Sequence, residues 1–123
     1  MSEQTEIFLQ LKQHMAKYSP PLIAKVDEPA HYELWSIKPV EIAGRKRSEV
    51  YFGGLIIQKA YLGFYFMPVY THEDHKSVFH PGLLRLLKGK SCFHIKQLDP
   101  VLSSQIEEAL KIGFEIYHKN GWV

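Results

Sequence analysis

Glu49-Val50-Tyr51-Phe52-Gly53-Gly54-Leu55-Ile56-Ile57-Gln58, then Lys59-Ala60, then Tyr61-Leu62-Gly63-Phe64-Tyr65-Phe66-Met67 is the stretch that decides the fold. It sets two runs of β-branched and aromatic residues back to back, and Pro68 closes the second. In the first run Val50, Phe52 and Ile56 share one parity, and Tyr51, Leu55 and Ile57 share the other. In the second, Leu62, Phe64 and Phe66 oppose Tyr61, Tyr65 and Met67. A strand apolar on both parities is covered on both faces, or keeps one face for a ligand or partner. These two strands therefore form the centre of the fold. They carry no signature of a reaction.

Outward from this pair the elements change type. Residues 3–17 read as a helix, because Ile7, Phe8, Leu11, Met15 and Tyr18 follow three-four spacing and Ser2 or Thr5 can cap the start. Ser19-Pro20-Pro21 ends it, since a residue before proline avoids helical dihedrals. Leu22–Val26 is too short to assign. His31–Lys38 reads as a strand stopped by Pro39, and Glu41–Ser48 as a polar connection. After Met67, a histidine-rich polar stretch runs from Tyr70 to His80. Pro81–Gly89 reads as a short helix ended by glycine, and Ser91–Ile95 as a short strand. Asp99 and Pro100 open a last helix, with Leu102, Ile106, Ala109, Leu110, Gly113, Phe114 and Tyr117 on one face and Gly121 beyond its end. Helices at the ends and strands between predict an α+β fold. Its sheet is antiparallel, with four to five strands packed by the N- and C-terminal helices. The hairpin at Lys59-Ala60 lacks the Asn-Gly or Asp-Gly of the tightest turns, which leaves its loop type open.

Composition bounds the function classes. At 123 residues the chain is expected to be a single domain over residues 1–123, long enough to fold without disulfides or a structural metal. Hydrophobic residues at 46% and charged residues at 23% are ordinary globular values. A formal net charge of +2 does not point to nucleic acid. The one cysteine, Cys92, excludes an internal disulfide and a multi-cysteine zinc site. No apolar run reaches the ~18 residues of a membrane span. The first residues lack the basic and apolar segments of a secretory signal, so the expected location is cytoplasmic.

Two stretches carry a family resemblance. Val50-Tyr51-Phe52-Gly53-Gly54 through Tyr65-Phe66-Met67-Pro68-Val69-Tyr70 resembles the YdhG-like domain family, a bacterial family of unknown function. So does Leu87-Lys88-Gly89-Lys90-Ser91-Cys92-Phe93, followed by a terminal amphipathic helix. The resemblance implies an α+β domain with a curved antiparallel sheet and flanking helices. One member is linked to intracellular iron delivery as a frataxin-like protein, which makes an iron carrier one implied function. The family supplies no agreed catalytic residues.

Five groups of residues could carry chemistry, each beside a plainer reading. Tyr61, Gly63, Tyr65 and Met67 share a parity, with Gly53 on the neighbouring strand. Glycines beside aromatics open a slot for a planar ligand, or mark a bulge, or admit a helix. Lys88-Gly89-Lys90-Ser91-Cys92 could hold a phosphate or carboxylate, or could be a helix C-terminus whose lysines face the negative dipole end. Cys92 with His94 could form a nucleophile and its base, or Cys92 could be a small buried residue. Arg45-Lys46-Arg47 could touch phosphates or be a solvated loop. His72-Glu73-Asp74-His75 with His80 offers imidazoles and carboxylates to a metal, or is a polar loop.

From these residues the sequence predicts a small binding or interaction module that takes a small polar or anionic ligand at Tyr65, Lys90, Ser91, Cys92 and His94. An enzyme acting on a small polar substrate through Cys92, His94 and Lys90 is the first alternative. A metal (iron) carrier using His72, His75 and His80 is the second. No cofactor, nucleic-acid or membrane partner is expected, and the oligomeric state is not specified.

Overall fold

The computed structural model describes residues 3–42, 44–71 and 79–123. The chain is α+β, as its pattern predicts. In order it forms α1 (Glu3–Ala16), β1 (Ile23–Glu28), β2 (His31–Ser36), β3 (Val40–Ile42), β4 (Arg45–Arg47), β5 (Val50–Ile57) and β6 (Leu62–Phe66). It continues with α2 (Pro68–Thr71), α3 (Pro81–Leu84), β7 (Leu87–Lys88), β8 (Cys92–Ile95) and α4 (Pro100–Lys119). The main sheet has six strands in the order β1-β2-β5-β6-β8-β7, more than the four to five expected, and every pairing in it is antiparallel. β3 and β4 make a separate two-stranded ribbon.

The extra strands lie where the sequence carries little pattern. The ambiguous Leu22–Val26 segment belongs to the edge strand β1, whose Lys25, Asp27 and Glu28 keep that edge charged. The polar Glu41–Ser48 connection folds onto itself as the ribbon, pairing Val40 with Arg47 and Ile42 with Arg45. The helix at Pro81 ends at Leu84, and Leu87-Lys88 already pairs with β8. Gly89 therefore closes a hairpin turn at φ 79°, a conformation costly for other residues, and Lys88 does not sit at a helix terminus. The β5–β6 connection is a four-residue loop between the paired Ile57 and Leu62, with Gln58 N–H donating to Tyr61 C=O at 2.9 Å.

The register of β5 contains the decisive irregularity. Leu34 pairs with Gly53 but Trp35 pairs with Tyr51, so Phe52 is an extra residue on β5. The bulge lets Phe52 and Gly53 both face the helices. Beyond it the parity is inverted, so Val50, Phe52, Leu55 and Ile57 all pack in the core while Tyr51, Gly54 and Ile56 face away. Strict alternation across residues 50–57 is therefore corrected: Leu55 and Ile57 share the side of Phe52, and Ile56 shares the side of Tyr51.

The core lies between the sheet and the helices. Phe52 meets Phe66 and Tyr117 edge to face at 5.7 and 5.2 Å, and Phe64 packs on Phe66 and Phe93 at 5.3 and 5.6 Å. α1 contributes Ile7, Phe8, Leu11 and Met15, and α4 contributes Ile106, Ala109, Leu110, Gly113 and Tyr117. Both helices follow the predicted stripes. Asp99 caps α4 through its Oδ1, which accepts from Leu102 N–H at 2.7 Å. At the other end Gly121 N–H donates to His118 C=O and Trp122 N–H to Tyr117 C=O, a Schellman ending with Gly121 at φ 75°. This turn lays Trp122 on Tyr117 at 5.1 Å and brings its carbonyl to the buried Ser36 hydroxyl.

The α4–sheet contact generates a stability prediction. Ile106→Ala or Leu110→Ala removes a fully buried side chain and lowers unfolding free energy by about 2–5 kcal/mol. Gly113→Ala places a Cβ 2.5 Å from Phe66 Cζ and 2.7 Å from Pro68 Cγ, and costs about 1–3 kcal/mol by overpacking. Urea denaturation measures all three. Unchanged midpoints would remove α4 from the core.

Candidate functional site

The helices gather on one side of the sheet, and among the described residues none packs on the other. That second face takes the alternate residues of each strand, with one shift at the Phe52 bulge of β5. On β2 it presents His31, Glu33 and Trp35, between the buried Tyr32, Leu34 and Ser36. β5 adds Tyr51, Gly54 and Ile56; β6 and the loop before it add Gly63, Tyr65 and Tyr61; β8 adds Cys92 and His94. Their side chains are half-buried against one another.

Register lines these residues up. Glu33 pairs with Gly54, Gly54 with Tyr65, Tyr65 with Cys92, and Cys92 with Lys88. One row thus crosses five strands from a carboxylate to an ammonium, four strand spacings or about 19 Å. The two ends differ in how they are satisfied. Glu33 Oε2 lies 2.6 Å from His31 Nε2, and Glu33 Oε1 accepts from Trp35 Nε1 at 2.9 Å. Lys25 stands over the Trp35 ring at 4.7 Å and pairs with Glu49. Lys88 is exposed at the opposite edge.

The glycines of the face make room for tyrosine rings. A Cβ on Gly54 would lie 2.5 Å from the Tyr51 hydroxyl and 2.7 Å from Tyr32 C=O. A Cβ on Gly63 would lie 2.9 Å from Tyr65 Cε2. The Tyr51 and Tyr65 rings therefore lie down on the sheet. The sequence pointed to Gly53 for this role, but Gly53 faces α1, where a Cβ would meet Met15 Cε at 3.5 Å; Gly54 takes its place. Tyr61 and His94 stack at 3.7 Å with their planes 13° apart, adding a flat aromatic pair beside Tyr65.

Of the sequence-predicted ligand residues, the structure brings Tyr65, Cys92 and His94 onto one face. Lys90 and Ser91 lie in the β7–β8 turn next to it, and Ser91 uses its carbonyl to accept from Phe66 N–H at 2.8 Å. Lys88, across from Cys92, is the lysine that register assigns to the row. His31, Glu33, Trp35 and Tyr51 escaped the sequence reading. The His-x-Glu-x-Trp spacing at 31–35 was the available signal, because period-two spacing puts all three on one strand face.

Cys92 and His94 share this face without forming a reactive pair. Burial pushes the Cys92 thiol up, and a hydrogen bond with the Tyr65 hydroxyl only partly opposes it. The thiol is thus the resting form at neutral pH. His94 is engaged by Tyr61. Of the predicted metal ligands, His72 and His75 lie outside the described residues, as do Glu73 and Asp74. His80 caps α3, its Nδ1 accepting from Gly82 N–H at 3.0 Å. Among the described residues no three His, Cys, Asp or Glu side chains stand together as a metal site. No helix among them is long and apolar enough to cross a membrane.

Two pH-linked outcomes follow. Iodoacetamide labels native Cys92 at neutral pH at least about tenfold more slowly than free cysteine, because thiolate is the reactive form. Labelling as fast as free cysteine would overturn the assignment. Burial, with Glu33 second, also raises Tyr51 well above the usual tyrosine range, and burial does the same for Tyr117. Below pH about 10 both phenols keep their protons whether folded or not. Above it the unfolded chain releases protons that the fold retains, so stability falls as pH rises. Urea midpoints taken across this range decline, and Tyr51→Phe flattens the decline.

Compared with family models, with curated proteins and with solved structures, the chain returns no match.

Proposed function

We propose that the protein is a binding module whose helix-free sheet face takes a small planar anion. The observation that carries this reading is the row Gly54–Tyr65–Cys92–Lys88 beside the Tyr61–His94 stack. It joins a flat aromatic surface to an exposed ammonium. Aromatic faces bind planar groups through dispersion and stacking, and a lysine at the rim adds a charge-assisted hydrogen bond to a carboxylate or phosphate. The carboxylate end of the row is already hydrogen-bonded to His31 and Trp35, which leaves the exposed lysines of the β8–β7 edge as the anion-attracting end. Lys90 and Ser91, in the adjoining turn, extend that end.

Binding is favoured over the Cys92/His94/Lys90 enzyme because the thiol is held protonated and His94 is stacked. An iron carrier would rest on His72, His75 and His80, and the Nδ1 of His80 is already engaged in a helix cap. Membership of the YdhG-like family is retained as a proposal on the quoted stretches, and it brings no ligand with it.

The test is a nitrogen-15 NMR titration with benzoate, adenosine monophosphate and inorganic phosphate. Shifts are expected in β6, β8 and residues 88–91 for the two planar anions, and weaker ones for phosphate. Lys88→Ala and His94→Ala each weaken binding about tenfold, or ~1.4 kcal/mol. Shifts elsewhere, or equal affinities in wild type and both variants, would sink the proposal.

A further inference from the structure

The crossing of α1 and α4, on the opposite side of the molecule from the open sheet face, joins three groups that the binding reading does not use. His14 lies in the last turn of α1, and its side chain is 19% exposed. Its Nε2 stands 3.0 Å from Ser103 Oγ, and its Nδ1 stands 3.0 Å from Glu107 Oε2. Ser103 and Glu107 are four residues apart on α4, so they lie one above the other on a single helix face. His14 enters between them from α1. A carboxylate at Nδ1 favours the tautomer with its proton there, which leaves the Nε2 lone pair facing the serine hydroxyl. Serine, imidazole Nε2, imidazole Nδ1 and carboxylate in this sequence are a nucleophile, its base and the group that orients the base.

An open depression lies on the Glu107 side of this chain of three residues. This depression of about 370 Å³ is lined by Lys17, Tyr18, Ser104, Glu107, Glu108 and Lys111. Lys17 Nζ sits 3.4 Å from the same Glu107 oxygen that faces His14. Glu107 thus touches both the serine–histidine pair and the depression, whose rim carries two ammonium groups, Lys17 and Lys111, and two carboxylates, Glu107 and Glu108.

We propose that Ser103, His14 and Glu107 form a second site, at which Ser103 accepts an acyl group from a small carboxylic ester. Ser103 Oγ forms a bond to the carbonyl carbon while its proton passes to His14 Nε2. The bond from that carbon to the alcohol oxygen breaks, and the leaving oxygen takes the proton from His14. Water then reverses the sequence: it gives a proton to His14, bonds to the acyl carbon, and Ser103 departs with the proton. Backbone help for the oxyanion is limited, since Ser103 N–H donates to Asp99 C=O at 2.9 Å and Leu102 N–H to the Asp99 carboxylate at 2.7 Å. Acylation and deacylation are both slow for this reason, so an activated aryl ester is the substrate that reports the site.

The full chain is mixed with 4-nitrophenyl acetate and with 4-nitrophenyl hemisuccinate. Nitrophenol release is followed, and the product is mapped by peptide mass spectrometry. The expected result is one acyl group on Ser103 with either ester. Ser103→Ala abolishes that adduct. His14→Gln slows acylation about 100-fold, within the span of general-base effects, and Glu107→Gln slows it about tenfold. Thermal melts confirm that each variant is folded. Adducts confined to lysines or Cys92, or nitrophenol release unchanged in Ser103→Ala, would overturn the site. So would variants that only lower the melting temperature while the wild type forms no acyl-serine, which would make the three residues a clamp between helices.

Discussion

The single extra residue in β5 is the constraint on which the rest of the structure depends. Because Phe52 and Gly53 together occupy the place of one residue opposite β2, two consecutive positions face the helices. Phe52 then packs against Phe66 and Tyr117, while Gly53 leaves room for Met15 of α1. The same bulge puts Tyr51 and Gly54 together on the other face, close enough for the Tyr51 ring to lie over Gly54. Without it, either Tyr51 and Phe52 or Leu55 and Ile57 would point the wrong way. A one-residue slip in register exchanges the two faces of a strand, so this local defect decides both what is core and what is surface.

The two faces are consequently of different chemistry. Toward the helices stand phenylalanines and leucines in contact, with the buried Ser36 satisfied by the Trp122 carbonyl. Away from them stand tyrosines, a tryptophan, two histidines, a carboxylate and a thiol, each with a polar atom but too closely set to be well hydrated. Antiparallel sheets commonly cover one face and solvate the other. Here the solvated face is half-buried by its own aromatics, which lie flat because glycines beneath them leave space. Such a surface is already desolvated in part, and a planar ligand would displace little ordered structure in reaching it.

Charge is arranged with the same asymmetry. At the β1–β2 side Glu33 meets His31 and Trp35, Glu49 meets Lys25 and Asp27 meets Lys12. At the β8–β7 side Lys88 stands at an edge beside the thiol and phenol of Cys92 and Tyr65. Across the molecule, the α1–α4 crossing repeats a pattern of close partners in the Ser103–His14–Glu107 chain. Neither arrangement is a sequence neighbourhood: His14 and Ser103 are brought together by helix packing, and Lys88 and Glu33 by a row of strand pairings.

The sequence by itself determined the α+β class, both long helices with their buried stripes, the Asp99 cap, the Gly121 ending and the two central strands. These are local or periodic features, read from spacing and cap chemistry. It also put Cys92 and His94 on one face, because strand parity fixes which side chains of a strand share a side, while Tyr65 joins them through the β6–β8 pairing. Only the tertiary structure decided the bulge at Phe52, the strand character of Leu87-Lys88 and of β1, and the choice of Gly54 over Gly53. Short strands have too few residues to show a period, and a bulge breaks the alternation by which a strand is recognised. Glu33, Trp35 and Tyr51 join the face through pairing with distant strands, and His14 meets Ser103 and Glu107 only where two helices cross. Such juxtapositions arise from long-range register and packing, which no local pattern of residues encodes.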